Sequence, residues 1–469
     1  MKKIYIMVML VLSGIMAEAQ TSVWDGSRKL WTRGEGTESN PYLIESAENL
    51  AFLAYMVAKG FDTRGLHFKL TTDIDLNGSE DQPWIPIGRY DRYYDEDGCD
   101  RGNLNSTGYN PFTRFKGHFD GDGHVISNIY VDIANGYCGL FGYVNFDYPE
   151  DTIVIENVFV NGGTIKGETC GGIVGNGYHL VVSNCRNTAT IEGFSVGGIV
   201  GLGSSDVFNC SNSGQLTGDC VGGIVGGRYA AGEVVECYNE GDIAASRIGG
   251  GILCGSYNNM IVNNCYNTGN VSVIGDSSTY YPSAGGLVGI AARYFVAKNS
   301  YNVGEISSNH HVGCLVGLAS QPENLSVENC YYLDICSGSE YGMAKNAEAM
   351  REEAFVTTLN QDGVVWGMDE KNVNDGFPIL TRTNLSVDDA TEVGLRIYPN
   401  PTNGVLFVET RLIASLPATN EYRITDLMGQ TVLTGSLNAD TQQIDVSHLP
   451  NGMFLFRMGG ATRKFVVNK

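Results

Sequence analysis

The chain has 469 residues, of which 61 are glycine, 43% are hydrophobic and only 17% are charged, with a formal charge of −22. That length exceeds one ordinary domain, the glycine share is well above the usual ~7%, and no Gly-X-Y period runs through it, so collagen and wholesale disorder are excluded. A surface this acidic repels phosphate backbones and anionic lipid, so nucleic acid is not an expected partner.

In chain order, residues 1–19 come first. Lys2 and Lys3 precede an apolar run from Ile4 to Leu12, and Ala17 and Ala19 supply small residues at the −3 and −1 positions. This reads as a secretory signal cleaved between Ala19 and Gln20, too short to span a bilayer stably. No cysteine follows it before Cys99, which argues against a lipid anchor, and the mature chain is not expected to be an integral membrane protein. Residues 20–135 read as an N-terminal cap and first coils. In NPYLIESAENLAFLAYMV from Asn40, a short strand precedes Leu50, Leu53, Ala54 and Val57 at helical spacing, with Ser46 as the N-cap. HFKLTTDIDL from His67, WIPIG from Trp84 and FKGHFDGDGHVISNIYV from Phe115 then read as strands and turns.

Residues 136–336 carry a repeat, which decides the architecture. A Gly-apolar-Gly phrase closes at Gly142, Gly175, Gly201, Gly226, Gly255, Gly289 and Gly317, with intervals of 25 to 34 residues. Between these fall NCRNTATI from Asn184, NCSNSGQL from Asn209, ECYNEGDI from Glu236, NCYNTGNV from Asn264, NSYNVGEI from Asn299 and NCYYLDI from Asn329. Ile191, Leu216, Ile243, Val271 and Ile306 follow the central Cys or Ser by an even number of residues, so both can face inward from a strand. Val182, Val207, Val234, Val262 and Ala297 precede it by an odd number, so both can face inward only if the chain turns between them. Asn184, Asn209, Asn264 and Asn299 occupy that interval, and asparagine tolerates the left-handed conformation of a corner. A coil of strand, corner, strand, turn and strand suits a parallel β-helix. A propeller blade needs about 40–50 residues, and a leucine-rich horseshoe needs a leucine ladder that is missing.

The repeat predicts ladders. Cys185, Cys210, Cys237, Cys265 and Cys330 would stack inside as small apolar side chains, with packing favoured over disulfides and no spacing suited to a metal. Asn187, Asn212, Asn239, Asn267 and Asn302 would stack their amides at a turn. Tyr238, Tyr266, Tyr301 and Tyr331 directly follow the buried position, so alternation sends them outward. There they would either form an exposed aromatic ladder for sugar faces or a protein partner, or pack under a loop.

These phrases resemble the GLUG motif of bacterial secreted and cell-surface proteins, and the resemblance implies a capped β-solenoid. Residues 337–380 read as its C-terminal cap and 381–394 as a linker. Residues 395–469 alternate apolar and polar positions between turns, as in a small Ig-like antiparallel β-sandwich. With Tyr398, Pro399, Asn400, Pro401 and Gly404 as its most specific part, this tail resembles the type A sorting domain of the type IX secretion system. That resemblance implies a partner in the secretion machinery and export to the outer-membrane surface or the medium. The expected fold class is therefore all-β: a parallel β-helix with short capping helices, then a sandwich.

Export does not state an activity. No H-E-x-x-H, phosphate loop or G-x-S-x-G is present. Asp73 with Asp75 and Asp120 with Asp122 are acid pairs that would suit polysaccharide chemistry or, more simply, turn hydrogen bonds. Asp95, Asp97 and Asp100 around Gly98 form a candidate calcium site, although the twelve-residue ligand pattern is not met. No other cofactor is expected. The sequence thus points to a non-catalytic, adhesin-like recognition scaffold for a glycan or a host or matrix protein. A carbohydrate-active β-helix enzyme, a lyase or hydrolase, is the alternative.

Overall fold

The computed structural model describes residues 21–90, 112–145, 152–227, 230–275, 282–338 and 340–381. In the tail it describes 394–398, 402, 405–411, 421–425, 431–436, 443–458 and 461–467. The cleavage pair Ala19 and Gln20, the calcium candidates Asp95, Asp97 and Asp100, and the tail residues Pro399, Asn400, Pro401 and Gly404 lie outside them. The chain divides into two compact units, residues 1–346 and 347–469, so the segment 337–380 grouped from sequence is shared between both.

The first unit is a parallel β-helix. Each coil brings Val182, Val207, Val234, Val262, Ala297 and Val327 into register on one face. Ile191, Leu216, Ile243, Val271 and Ile306 align on another. The corner between the faces is where Asn184, Asn209, Asn264, Asn299 and Asn329 sit at φ 48–53°, as their type predicts, and Glu236 takes the same conformation at φ 55°. One core cluster runs from Trp24 to Cys330. It is aromatic at its N-terminal end, where Trp31 meets Phe68, Phe68 meets Phe115 and Phe115 meets Phe141 at centroid distances of 5.1–6.0 Å. The helix Ala47–Ala58 begins at Ser46, whose side chain accepts from the Asn49 N–H, and buries Leu50, Leu53, Ala54 and Val57. It thereby supplies apolar cover that an open coil lacks.

The cysteine ladder is buried as expected, but its sulfurs do more than fill space. Cys185, Cys210, Cys237, Cys265 and Cys330 have no exposed surface and are free thiols. Each thiol lies 3.2–3.3 Å from the carbonyl two residues earlier. The backbone N–H of Cys185 donates to Cys210 Sγ and that of Cys210 to Cys237 Sγ, both at 3.3 Å. Where Ser300 replaces cysteine, its hydroxyl accepts from Cys265 N–H at 3.0 Å and donates to Lys298 O at 2.6 Å. The side chain therefore satisfies a corner amide that the turn in the backbone has taken out of the sheet.

The asparagine ladder is a chain of amides. Asn187 Nδ2 donates to Asn212 Oδ1, Asn212 to Asn239, Asn239 to Asn267 and Asn267 to Asn302, all at 2.8–2.9 Å. Each also donates to a carbonyl two residues on, at 2.7–3.2 Å. Among the described residues one disulfide, Cys314–Cys336, joins the last coil to the segment that follows it.

In the second unit, helix Glu353–Leu359 buries Phe355, Val356 and Leu359, and Trp366–Gly367 pairs antiparallel with Ile379–Leu380. The tail forms two antiparallel sheets. One contains Gly394–Tyr398, Val405–Arg411 and Gln443–Asp445, and the other Glu421–Thr425, Thr431–Ser436, Gly452–Met458 and Ala461–Val467. Leu406 and Ile444 from the first meet Ile424, Phe454, Phe456 and Phe465 from the second in one core, which makes the tail a sandwich.

Candidate functional site

The tyrosine ladder corrects an expectation. Tyr238, Tyr266 and Tyr301 do stack, with centroids 4.7 and 5.2 Å apart and planes within 7°. They are not an exposed platform, however. Tyr266 retains 2% of its surface, Tyr301 0% and Tyr331 7%, while Tyr238 is half-buried. The register that aligns Tyr238 with Tyr266, and Tyr266 with Tyr301, lays each ring against the next, so the faces a sugar would use are covered by neighbouring rings. Burial also pushes the phenols of Tyr238 and Tyr331 up. Alternation correctly separates these rings from the cysteine side of the strand, but it does not report what covers the other side.

The acid pairs do turn work. Asp75 Oδ1 accepts from Asn77 N–H and Asn128 Nδ2 at 2.8 and 2.9 Å, and Asp120 Oδ1 from Asp122 N–H and Asn157 Nδ2 at 2.8 Å. Asp73 Oδ1 accepts from Val125 N–H at 3.0 Å with His124 Nδ1 at the same distance, and Asp122 pairs with Lys69 at 2.7 Å. Among the described residues no group of three or more His, Cys, Asp or Glu is arranged to hold a metal ion.

A groove appears elsewhere. Strands Val125–Cys138, Phe159–Gly171, Thr190–Gly197 and Leu216–Gly222 align Asp132, Lys166, Glu192 and Thr217 in one row. Steps in that row are about 4.8 Å, the spacing of neighbouring strands. Beside the row, Ala134, Gly167, Gly193 and Gly218 leave an open trough of about 350 Å³. Lys166 Nζ lies 3.1 Å from Glu192, and that hydrogen bond holds the ammonium above its ordinary pKa. Immediately after Gly193, Phe194 stays 50% exposed, with the Arg247 guanidinium 5.1 Å over its ring and Asp219 paired to Arg247. Charged donors and acceptors at strand spacing, over a backbone floor with an aromatic ring nearby, can hydrogen-bond and stack with an extended polar chain. The signal was legible: Ile165-Lys-Gly, Ile191-Glu-Gly and Leu216-Thr-Gly repeat a polar residue and glycine after the inward position.

Fold and groove together define a β-helical protein with an antiparallel tail domain. Residues 396–469 match the family described as Secretion system C-terminal sorting domain, so the chain is exported by the type IX system to the cell surface or extracellular space and meets that machinery. No helix among the described residues is long and apolar enough to cross a membrane. Two curated proteins are similar over part of the chain. A putative Gly-rich membrane protein of Evansella cellulosilytica is 30% identical over 168 residues, 34% of this chain and 16% of that protein. Halomucin of Haloquadratum walsbyi is 30% identical over 152 residues, 32% of this chain and 1% of that protein. The chain therefore spans a small fraction of either relative.

Proposed function

We propose that the chain is a non-catalytic, adhesin-like recognition scaffold that binds a glycan or a host or matrix protein through its β-helical surface. The observation that carries this reading is the row Asp132, Lys166, Glu192 and Thr217 beside its glycine floor. Successive coils offer chemically related contacts at one pitch, so weak contacts to a repeating ligand add up. The sorting tail supports the reading, because it delivers this surface to where such ligands are met. We also read residues 1–19 as a cleaved leader and the Gly-apolar-Gly coils as GLUG-type repeats. N-terminal sequencing of the exported protein should begin at Gln20.

Glycan-array and matrix-protein binding by the exported protein tests the scaffold reading. Lys166→Ala and Phe194→Ala should each weaken binding about tenfold, while the protein remains folded. The enzyme reading has its own support, since Asp132 and Glu192 place carboxylates on both sides of Lys166. If binding is undetectable but polysaccharides acquire ultraviolet-absorbing unsaturated ends or new reducing ends, the ranking reverses.

A further inference from the structure

The end of the β-helix departs from the pattern of the coils before it, and the departures fall within one coil and the turn that follows it. In the preceding coils the second residue of the Gly-Gly phrase lies against the asparagine amide of its own coil: Gly223 against Asn239, Gly251 against Asn267 and Gly286 against Asn302. The amide ladder stops at Asn302, and its partner in the next coil is Tyr332. At the corresponding place in that coil stands Cys314, bonded to Cys336. In the earlier coils a β-carbon at this place would meet both that amide and the carbonyl of the following coil; in the coil of Cys314 the asparagine is replaced by Tyr332, and Val316–Ala319 is the last strand of its ladder.

This coil is also the least supported of the set. Among the described residues, Val316–Ala319 pairs only with Val288–Ala291, and Leu325–Glu328 only with Phe295–Lys298, so both are edge strands. Leu325 and Val327 are half-buried, whereas Phe295 and Ala297, their partners one coil earlier, have no exposed surface. The chain leaves through Tyr331–Leu333, turns at Asp334–Cys336 and returns as Met343–Lys345. There Met343 N–H donates to Cys330 O at 2.9 Å and Asp334 N–H to Lys345 O at 3.1 Å. The half-cystines are 22 residues apart, one just before the strand Val316–Ala319 and the other at this turn.

We propose that Cys314–Cys336 is the closing clamp of the β-helix, made by oxidation after the chain leaves the cytoplasm. It replaces the asparagine–glycine interlock in the coil that has none. Until it forms, the segment from His311 to Lys345 opens independently of the coils before it. In the step, both thiols lose a proton and together two electrons. A disulfide of an envelope thiol–disulfide oxidoreductase takes them up and becomes a dithiol, through a mixed disulfide. Selectivity follows from access. The nine other described cysteines are buried, most of them in the ladders, and so is Cys314; Cys336, half-buried on an exposed turn, is the sulfur within reach of the oxidant.

The test uses the full exported chain. Peptide mapping after denaturation in an alkylating agent should find Cys314 linked to Cys336 and the nine other described cysteines alkylated. Hydrogen exchange, before and after mild reduction of the folded protein, should show amides of 311–336 exchanging at least tenfold faster, with those of 190–208 unchanged. The Cys314→Ser, Cys336→Ser double variant should reproduce that pattern. Free sulfurs at both positions in the exported protein would overturn the proposal. So would unchanged exchange in 311–336 on reduction, or an equal rise throughout the β-helix.

Discussion

Gly198 and Asn212 occupy the two sides of one space: a β-carbon on Gly198 would overlap the Asn212 side chain, whose amide links the coils above and below. Two phrases that stand apart in the sequence are therefore one interlock. Gly198→Ala should cost about 1–3 kcal/mol by overpacking. Asn212→Gly should also destabilise, because Asn187 and Asn239 lose a partner. In the double variant the overlap with the asparagine is gone and only that with the Gly223 carbonyl remains, so the two losses should fall short of their sum by about 0.5–1 kcal/mol in urea unfolding, as expected of groups in contact. Strict additivity would refute the interlock.

The sulfur ladder makes a prediction that distinguishes packing from hydrogen bonding. Cys237 Sγ accepts from Cys210 N–H at 3.3 Å. Cys237→Val keeps an apolar group of similar size but orphans that amide, and should cost about 1–3 kcal/mol. Cys237→Ser retains the acceptor, as Ser300 does, and should cost less than the valine variant. If valine proves the better replacement in thermal melts, the sulfurs act only as filler.

Burial governs the chemistry of the same thiols. It pushes Cys185 and Cys237 up, and Cys330 to about 12, while Cys210 is held down against its burial by hydrogen bonds with Cys185 and Cys237 on either side. A raised thiol pKa means that deprotonation, and hence alkylation, stays suppressed well above neutrality. At pH 9 the Cys330 thiolate fraction would be about one in a thousand. In a Cys99→Ser background, the native protein should resist iodoacetamide from pH 7 to 9, and the buried thiols should react at once on denaturation. A rate at Cys330 that levels off by pH 9, the mark of a thiol already ionised there, would contradict this.

Glu236 is the anomaly at the corner. It holds φ 55° where the other coils use asparagine, and in the preceding coil the buried Oδ1 of Asn209 has no hydrogen-bond partner. Glu236→Asn supplies a residue that tolerates the left-handed region and an amide donor at that level. It should raise stability by about 1 kcal/mol, read as a higher melting temperature. A lower one would mean that the carboxylate does something the asparagines do not.

The tyrosine stack should behave as structure. Tyr266→Ala removes a ring with 2% exposure that stacks on Tyr238 and Tyr301. A cost of about 3–5 kcal/mol is expected from the cavity, with Tyr266→Phe much milder. Glycan binding by the Phe variant should equal that of the parent, and a selective loss of binding would return the hydroxyl to the site.

Much of the fold was written in the spacing. The even interval from Cys185 to Ile191 and the odd one from Val182 to Cys185 required a corner at Asn184, and that corner is present at φ 53°. Ser46 and the run from Leu50 to Val57 likewise specified their helix, and the alternating tail its two sheets. Such features depend on local geometry, which a linear pattern carries directly.

The site was less legible because it is assembled across coils. Lys166 meets Glu192 only through parallel register, and the two faces of Tyr266 are covered by Tyr238 and Tyr301 from the coils on either side. The disulfide is of the same kind: counting twelve cysteines does not say that Cys314 stands where an amide ladder has ended. Sequence alone determined that the chain winds, where it turns and that its tail directs export, since those follow from side-chain period and backbone preference. Which outward residues remain open to a ligand was decided only by the tertiary structure, because exposure depends on what neighbouring coils place against each side chain.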